Sequence, residues 1–360
     1  MDTTSLYFEG EGGATLGERG HSKDYRPHLN QMIVGVIIDQ DGRPICSEMW
    51  PGNTAKPAPG LDPGVTTLIP VIDRLRNRFA IDRVCVVADR GMISAATIAA
   101  LEQRGLDYIL GVRERGTKEV REVIMADPTP SVPLMIPRNG RPDTELQAKE
   151  VRLGDRRYIV CRNLVEAAQA ARTREAVLTT LRAKLRQGDK SLVGNSAYRR
   201  YLKAPDQRHF TIDEARVAED ARYDGLYVLR TNLRLHPLNV MLRYRDLLVV
   251  EQLFRSEKAL LATRPIYHQT DAAIRGHVFC SFLALVLRKE LEERLAAARL
   301  KPEWRALLAD LDRLQEIEVE QDGKRFVLRT PVTGVAGKVF QAVGAALPPN
   351  IREAVPAIAT

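Results

Sequence analysis

Three acidic residues that lie far apart in the sequence are candidates for one shared metal site. Asp2 begins DTTSLYFE, a mix of Thr, Leu, Tyr and Phe that is typical of a strand end. Asp89 follows VCVVA, an apolar run typical of a strand buried on both faces of a sheet. Glu251 lies in YRDLLVVEQLFRSEK, which lacks Gly and Pro and has helical apolar spacing. Carboxylates are the ligands that Mg²⁺ prefers, and two such ions roughly 4 Å apart support phosphodiester chemistry.

The helix predicted over 244–258 carries a second pattern. Tyr244, Glu251 and Lys258 are seven residues apart, which is nearly two full turns, so the three side chains share one face. A hydroxyl, a carboxylate and an ammonium group suit a face that meets a metal and a phosphate chain. The alternative for this helix alone is a charged face in solvent, on which Glu251 pairs with Arg255 four residues on.

The other two acids also have simpler interpretations. Asp89 stands at a predicted strand–helix junction and could cap the following helix, although Ser94 is a better-placed cap for a helix over 95–104. Asp2 could be a frayed terminal residue. The position of each acid, taken alone, leaves these alternatives open.

The predicted elements place the acids on an α/β framework with a mixed sheet. A hairpin over 31–39 and 44–50 turns at Asp41-Gly42, and a helix over 66–79 precedes the strand that ends before Asp89. A strand over 108–112 completes the first part. Hairpins are predicted over 150–153 with 157–162 and over 316–320 with 325–329, and a strand over 223–231. Helices are predicted over 165–186, 270–298 and 302–315.

Composition indicates an ordinary globular protein of roughly two domains, because the chain has 360 residues, 44% of them hydrophobic and 28% charged. The net charge of +8 favours a polyanion partner. The four cysteines form no CxxC pair and no cysteine–histidine pair at zinc spacing, which predicts a reducing, cytosolic setting. No segment has the length of a membrane span or the pattern of a signal peptide.

Six segments together resemble one family, the DDE transposases of bacterial cut-and-paste insertion sequences in the branch with a YREK signature. These segments are DTTSLYFE, HSKDYRP with QMIVGVIID, VVADRGM, YILGVRER, YDGLYVLRTN, and YRDLLVVEQLFRSEK with RPIYH. The resemblance covers Asp2 to about Leu287 in the family's order. The signature positions fall on Tyr244, Leu247, Glu251 and Lys258, and the chain departs from the signature at Leu247, where the family has Arg.

The resemblance implies an α/β, ribonuclease-H-like fold: a mixed sheet with flanking helices and an inserted α+β subdomain. It divides the chain into a first part of the catalytic core (1–112), an insertion (113–222), the remainder of the core with the helix of Glu251 (223–300), and a C-terminal helix and hairpin region (301–360). It also implies that Asp2, Asp89 and Glu251 hold two Mg²⁺ ions, with Mn²⁺ as a substitute.

The same resemblance implies contacts, partners and a location. Phosphate contacts fall on Tyr244 and Lys258, with Arg245, Arg255 and Arg90 as further candidates. The expected partners are the terminal inverted repeats of a transposon, target DNA, and a second copy of the chain in a synaptic complex. The expected location is the bacterial cytoplasm, in association with the nucleoid.

The first acid stands next to the start of the chain, where family members have a preceding strand and an end-recognition domain. We therefore expect a truncated transposase with weak or no transposition by this chain alone. The main alternative is a non-catalytic DNA-binding or dimerising remnant of a decayed element. A weaker alternative is a nuclease for RNA–DNA hybrids, against which the long insertion argues. The basic helix over 165–186 could lie along DNA or be solvated.

Overall fold

The structure is a computed structural model. It describes residues 2–20, 22–54, 63–81, 83–89, 93–112, 115, 117–137, 142–187, 196–203, 210–248, 250–251, 254, 258 and 263–353. The statements that follow concern these residues.

An antiparallel meander of three strands opens the chain. It consists of β1 (Asp2–Tyr7), β2 (Gln31–Ile38) and β3 (Pro44–Pro51), with β2 in the centre. In the turn from β2 to β3, Asp39 N donates to Arg43 O at 3.0 Å and Gly42 adopts a positive φ of 77°. The predicted hairpin with its Asp-Gly turn is thus confirmed, and Asp2 is paired with Val36 of β2 as part of a regular strand.

Two helices and two parallel strands follow: α1 (Pro63–Phe79), β4 (Cys85–Ala88), α2 (Ala95–Gln103) and β5 (Asp107–Val112). The faces of α1 and α2 pack on these strands because their apolar residues recur at helical spacing. The resulting core includes Leu68, Ile72, Val86, Leu101 and Tyr108, all of them buried. This segment matches the predicted succession of helix, strand, helix and strand.

The larger sheet has six strands in the order β4-β5-β11-β8-β7-β6. Its other members are β6 (Val132–Ile136), β7 (Thr144–Leu153), β8 (Arg156–Asn163) and β11 (Leu226–Thr231). Only β4 and β5 are parallel to each other, so the sheet is mixed. The predicted α/β class, a mixed sheet with flanking helices, is confirmed.

Strands from the segment predicted as an insertion belong to this same sheet. β8 pairs with β11 over six residue pairs, and β11 in turn pairs with β5. Hydrogen bonds lock the end of β11 to β5: Asn232 Oδ1 accepts from Tyr108 N at 2.9 Å, and Thr231 Oγ1 donates to Tyr108 O at 2.6 Å. The segment 113–222 therefore extends the sheet that carries Asp89, in addition to forming helices of its own.

The remaining elements of this segment are helical or short. They are a π-helix (Val120–Ile124), α3 (Leu164–Gln187), α4 (Ser196–Arg199), β9 (Leu202–Lys203), β10 (Thr211–Ile212) and α5 (Glu214–Ala221). In the basic helix α3, Arg174 is not free for a ligand, because it forms a bidentate pair with Asp224 at 2.6 Å and is only 12% exposed. Arg182 pairs with Glu175 of its own helix at 2.8 Å.

The region predicted as one helix over 244–258 is interrupted. Helix α6 (Pro237–Arg245) ends at the capping residue Asp246, which is a turn, and helical conformation resumes at Leu247. We call residues 247, 248, 250, 251, 254 and 258, which are all helical, the Glu251 segment. The prediction of one continuous helix is therefore wrong at Asp246: Tyr244 lies in the last turn of α6, and Glu251 and Lys258 are helical residues beyond the break.

The chain forms two compact units, 1–276 and 277–360. The boundary falls within α7 (Asp271–Ala297), whereas the resemblance divides the chain by function at 112, 222 and 300; that functional division stays a prediction. The second unit also contains α8 (Trp304–Asp312), β12 (Glu316–Gln321), β13 (Lys324–Arg329), α9 (Ala336–Val343) and β14 (Ile351–Glu353). Its core includes Leu295, Leu307 and Val339. Among the described residues, no helix has the length and apolar character needed to cross a membrane.

Candidate active site

The three acids predicted to act together line one cleft. It has a volume of about 430 Å³, and Asp2, Asp89 and Glu251 all contribute to its wall. Positions 2, 89 and 251 are remote in sequence, so only the fold brings them to the same cleft. Each acid reaches the cleft from a different element: a strand of the first sheet, the end of a strand in the second sheet, and the Glu251 segment.

Asp2 is the first residue of β1 and is half-buried. Its Oδ1 accepts a hydrogen bond from Thr3 N at 2.7 Å, and its backbone pairs with Val36. Residues that are directly opposite on paired strands project to the same face of the sheet. Asp2 is therefore held in a regular strand, which argues against the alternative of a frayed residue.

Asp89 is the residue that follows β4, at the carboxyl end of a strand that runs parallel to its neighbour. Such an edge is a common location for ligand sites in α/β sheets. The cap of the next helix is Ser94, whose side chain accepts from Thr97 N at 3.1 Å. The helix cap is thus supplied by Ser94 as predicted, and the carboxylate of Asp89 is directed to the cleft.

Glu251 is exposed and faces the cleft from a segment that is anchored on the first sheet. The buried side chains of Val250 and Phe254 form a small core with Val36 of β2. Because Val36 is the strand partner of Asp2, this contact places the Glu251 segment on the strand pair that carries Asp2.

A hydrogen bond joins the last turn of α6 to one of the acids. Tyr244 Oη donates to Asp89 Oδ1 at 2.8 Å. The bond spans 155 positions of sequence and fixes one carboxylate oxygen of Asp89 from the end of α6. The structure therefore brings Tyr244 to the site, where it contacts a predicted metal ligand.

The chemistry of the donors in this cleft fits a divalent cation, because carboxylate oxygens are hard ligands. Among the described residues, however, no group of three His, Cys, Asp or Glu side chains is close enough to hold a metal ion together. The structure thus supplies a carboxylate-lined cleft, and the ligand assignment of Asp2, Asp89 and Glu251 stays a prediction.

The predicted phosphate contacts have different surroundings. Lys258 is largely buried in an ion pair with Asp24, at 3.0 Å, and lies outside the cleft wall. Arg245 lines the cleft and donates to the carbonyl oxygen of Pro137. Leu247, at the position where the family signature has Arg, also lines the cleft. Arg90 and Arg255 lie outside the described residues.

Several wall residues were not predicted from the sequence. Asn163 caps α3, its Oδ1 accepting from Val165 N at 3.0 Å and from Glu166 N at 3.2 Å, and Glu166 adds a fourth carboxylate to the wall. The signal that was open to sequence reasoning is the Asn-x-x-Glu order before a long helix, which is a capping pattern. Their approach to the cleft depends on the pairing of β8 with β11, which no local pattern specifies.

Burial shifts the pKa of two groups near the acids. The pKa of Tyr227, in the cleft wall, is raised because burial disfavours the phenolate. Burial also raises the pKa of Asp246, at the break between α6 and the Glu251 segment, against the opposing effect of Arg243 and Arg245. Tyr227 thus contributes a neutral side chain to the cleft wall.

Comparison with solved structures gives a neighbour of low similarity. The chain resembles the piggyBac transposase in the cryo-EM structure of its synaptic complex with hairpin DNA, with a TM-score of 0.44 and 10% sequence identity. The match covers 84% of this chain and 48% of that chain, so this chain spans about half the length of that transposase chain. A likeness of this size carries no functional inference. No protein-family model and no curated protein sequence matches the chain.

Proposed function

We propose that this chain is a DNA transposase of the DDE type, a metal-dependent enzyme that cleaves phosphodiester bonds at the ends of an insertion sequence and joins them to target DNA. The observation that carries the proposal is the convergence of Asp2, Asp89 and Glu251 on one cleft from three separate elements. The resemblance of six sequence segments to that family supplies the reaction class. DNA, a second copy of the chain in the synaptic complex, and the bacterial cytoplasm are parts of the same proposal.

The residues of the cleft have separate tasks in this proposal. Asp2, Asp89 and Glu251 would hold two Mg²⁺ ions, or Mn²⁺ in their place. When bound, such ions activate a water or a 3′-hydroxyl and stabilise the leaving oxygen. Tyr244 keeps Asp89 in one orientation through its donated hydrogen bond. Arg245, at the cleft wall, supplies positive charge for the DNA backbone.

A nicking assay on supercoiled plasmid and on a duplex oligonucleotide, with Mg²⁺ or Mn²⁺ present, tests the proposed activity. We expect nicking that requires the metal and falls by at least about 10³-fold in Asp89→Asn and in Glu251→Gln, since each variant loses a ligand charge without losing volume. Asp322→Asn, in the exposed turn between β12 and β13, is the control and should retain wild-type nicking. Nicking that survives in Asp89→Asn would exclude this cleft as the active site.

One observation favours a second candidate, a non-catalytic DNA-binding remnant. The described carboxylates form no cluster of three at metal-binding distance. A remnant would bind duplex DNA without requiring Mg²⁺ and would not nick it. Excision between matched transposon ends provides a further distinction, because a remnant would not excise them.

A further inference from the structure

Three charged side chains form an ion cluster in which Asp24 and Lys258 are buried. Lys258 Nζ lies 3.0 Å from Asp24 Oδ1 and 3.2 Å from Asp24 Oδ2, and Arg264 Nη1 lies 2.7 Å from Asp24 Oδ1. Only 7% of the Asp24 side chain and 11% of the Lys258 side chain are exposed. A buried charge is costly unless it is paired, so the burial of Lys258 depends on its pair with the Asp24 carboxylate, which also pairs with Arg264.

The loop that carries Asp24 is fastened to the strand that begins with Asp2. Lys23 N donates to Ser5 Oγ at 2.8 Å, and Lys23 Nζ donates to the carbonyl oxygen of Thr3. Both acceptors belong to β1. The neighbouring residue, Asp24, is therefore fixed relative to β1 and to Asp2 at its start.

The segment that carries Arg264 is fastened to the other end of the same strand. Ile266 N donates to Tyr7 O at 3.0 Å, and Glu9 N donates to Ile266 O at 3.0 Å. The guanidinium group of Arg264 also lies over the Tyr7 ring, 5.8 Å from its centroid. Asp24 thus links its own loop to the segment of Arg264, and both are bound to β1. Asp24 also pairs with Lys258 of the Glu251 segment.

We propose that Asp24 is a positioning residue, which holds the Glu251 segment against the strand of Asp2 by pairing with Lys258 and Arg264. This inference deepens the proposed function and rests on it. Glu251 is exposed, and its segment is held on the first sheet by Val250 and Phe254. The ion pair of Lys258 adds a polar attachment seven residues beyond Glu251. In this arrangement, Lys258 contributes to catalysis through Asp24.

The test compares Asp24→Asn with Asp224→Asn. Asp224 is a matched control, because it is also a buried carboxylate, 13% exposed, in a close pair with Arg174, and it lies away from the cleft wall. Two quantities are measured without DNA or turnover. One is the Mn²⁺ affinity, from the signal of free Mn²⁺ in electron paramagnetic resonance. The other is hydrogen–deuterium exchange in peptides that cover 2–8 and 245–258.

We expect Asp24→Asn to weaken Mn²⁺ binding by about 10- to 100-fold, the usual effect of losing a residue that orients metal ligands. Exchange should accelerate in both peptides. Lys258→Met should weaken Mn²⁺ binding by no more than Asp24→Asn does, because it breaks one of the two pairs that Asp24 forms. The double variant should equal Asp24→Asn, because the pair of Lys258 is already lost there. Asp224→Asn should leave Mn²⁺ affinity unchanged and accelerate exchange only near 164–187 and 222–231.

Failure of the positioning role is distinct from failure of the proposed function. If wild-type protein binds no Mn²⁺, or binds it equally well as Asp89→Asn, the proposed metal site is wrong, and the exchange of 245–258 alone decides the role of Asp24. Exchange at the wild-type rate in Asp24→Asn overturns the positioning role. Equal weakening of Mn²⁺ binding by Asp24→Asn and Asp224→Asn also overturns it, since general destabilisation then explains both.

Discussion

At the scale of single residues, the hydroxyl of Tyr244 has a contact that can be removed alone. Its Oη donates to Asp89 Oδ1 at 2.8 Å, and Tyr244→Phe removes only that oxygen. We expect Mn²⁺ affinity to fall by about tenfold, because Asp89 loses a donor that orients it, while the free energy of unfolding falls by only about 1 kcal/mol. Mn²⁺ titration and urea unfolding measure the two quantities.

The matched control for this change is Tyr25→Phe, since the Tyr25 side chain is 94% exposed and is not part of the cleft wall. Both its metal affinity and its stability should equal those of the wild type. An unchanged Mn²⁺ affinity in Tyr244→Phe would contradict the orienting role of the hydroxyl.

The cysteines provide a second prediction at this scale. Cys161 is fully buried beside Met241, with 3.3 Å between the two sulfur atoms, and burial raises the pKa of its thiol to about 12. The reactive thiolate is therefore scarce at pH 8, and it is also inaccessible. We expect iodoacetamide to modify the exposed Cys280 in the native protein and to reach Cys161 only after unfolding. Cys85 is also exposed but should react more slowly than Cys280, because desolvation raises the pKa of its thiol to about 11.

Mass spectrometry of peptides alkylated in buffer and in guanidinium chloride measures this difference. The denatured sample is the control, because all four thiols should react there. Alkylation of native Cys161 at the rate of Cys280 would show that the β8 face is open to solvent.

Residue types and local order allowed the acids to be predicted, but not their partners. Asp89 stands after an apolar run, and Ser94 has the order of a helix cap, so both roles follow from neighbours in sequence. The pair of Asp24 and Lys258 joins residues that are 234 positions apart. A lysine seven residues after a glutamate predicts that both lie on one helix face. No pattern in the neighbouring sequence indicates that the lysine pairs with a distant aspartate.

At the scale of elements, the helix over 244–258 shows where periodicity is insufficient. Apolar spacing predicts a helix across the whole stretch, and most described residues in it are helical. No Gly or Pro near Asp246 indicates that the helix ends there. The break allows Tyr244, in the last turn of α6, to donate its hydroxyl to Asp89, while Val250 and Phe254 pack on β2. Tertiary contacts therefore decide the break.

Two glycines with the same backbone conformation separate strain from steric overlap. Gly225, before β11, has a φ of +61°, and a Cβ atom there would lie 2.2 Å from Asn163 O. Gly154, in the β7–β8 turn, has a φ of +60° and no atom within 4 Å of such a Cβ. Gly154→Ala should cost about 1 kcal/mol of unfolding free energy through backbone strain alone. Gly225→Ala should cost about 3 kcal/mol, because overlap with the backbone is added.

Urea unfolding at constant pH measures both values, and their difference isolates the overlap. Equal costs for the two variants would mean that the start of β11 can move away from Asn163. That result would also weaken the view that β8 and β11 are held rigidly where Asn163 and Glu166 reach the cleft.

At the scale of the whole molecule, the α/β class followed from the sequence, whereas the arrangement of the sheets did not. Alternating strand and helix patterns predict the class, and each strand of the first part was placed within a few residues. The pairing of β11 with both β5 and β8 was not predicted, since it depends on contacts between segments separated by the whole of α3. The three acids of the cleft were predicted from the sequence, whereas other wall residues such as Asn163 and Glu166 were not.

The net charge of +8 leads to a prediction for the complete chain. DNA binding that releases counterions weakens linearly with salt on logarithmic axes, by about 10³-fold between 50 and 200 mM when six phosphates are contacted. We expect the affinity for a duplex oligonucleotide in EDTA, measured by fluorescence anisotropy, to fall by about 10³-fold between 50 and 200 mM salt. A slope near zero would contradict a polyanion partner.

The same titration decides whether α3 contributes to DNA binding. Arg174 and Arg182 are engaged with Asp224 and Glu175, and Lys184 is half-buried over the Tyr198 ring. Arg172 and Arg186 are the exposed cations that remain in that helix. The double variant Arg172→Gln, Arg186→Gln should keep the wild-type slope within one unit if α3 is a solvated surface helix. A decrease of about two units would place DNA along α3, because each lost phosphate contact lowers the slope by about 0.9. Unfolding in urea controls for stability, which two exposed substitutions should leave within about 0.5 kcal/mol of the wild type.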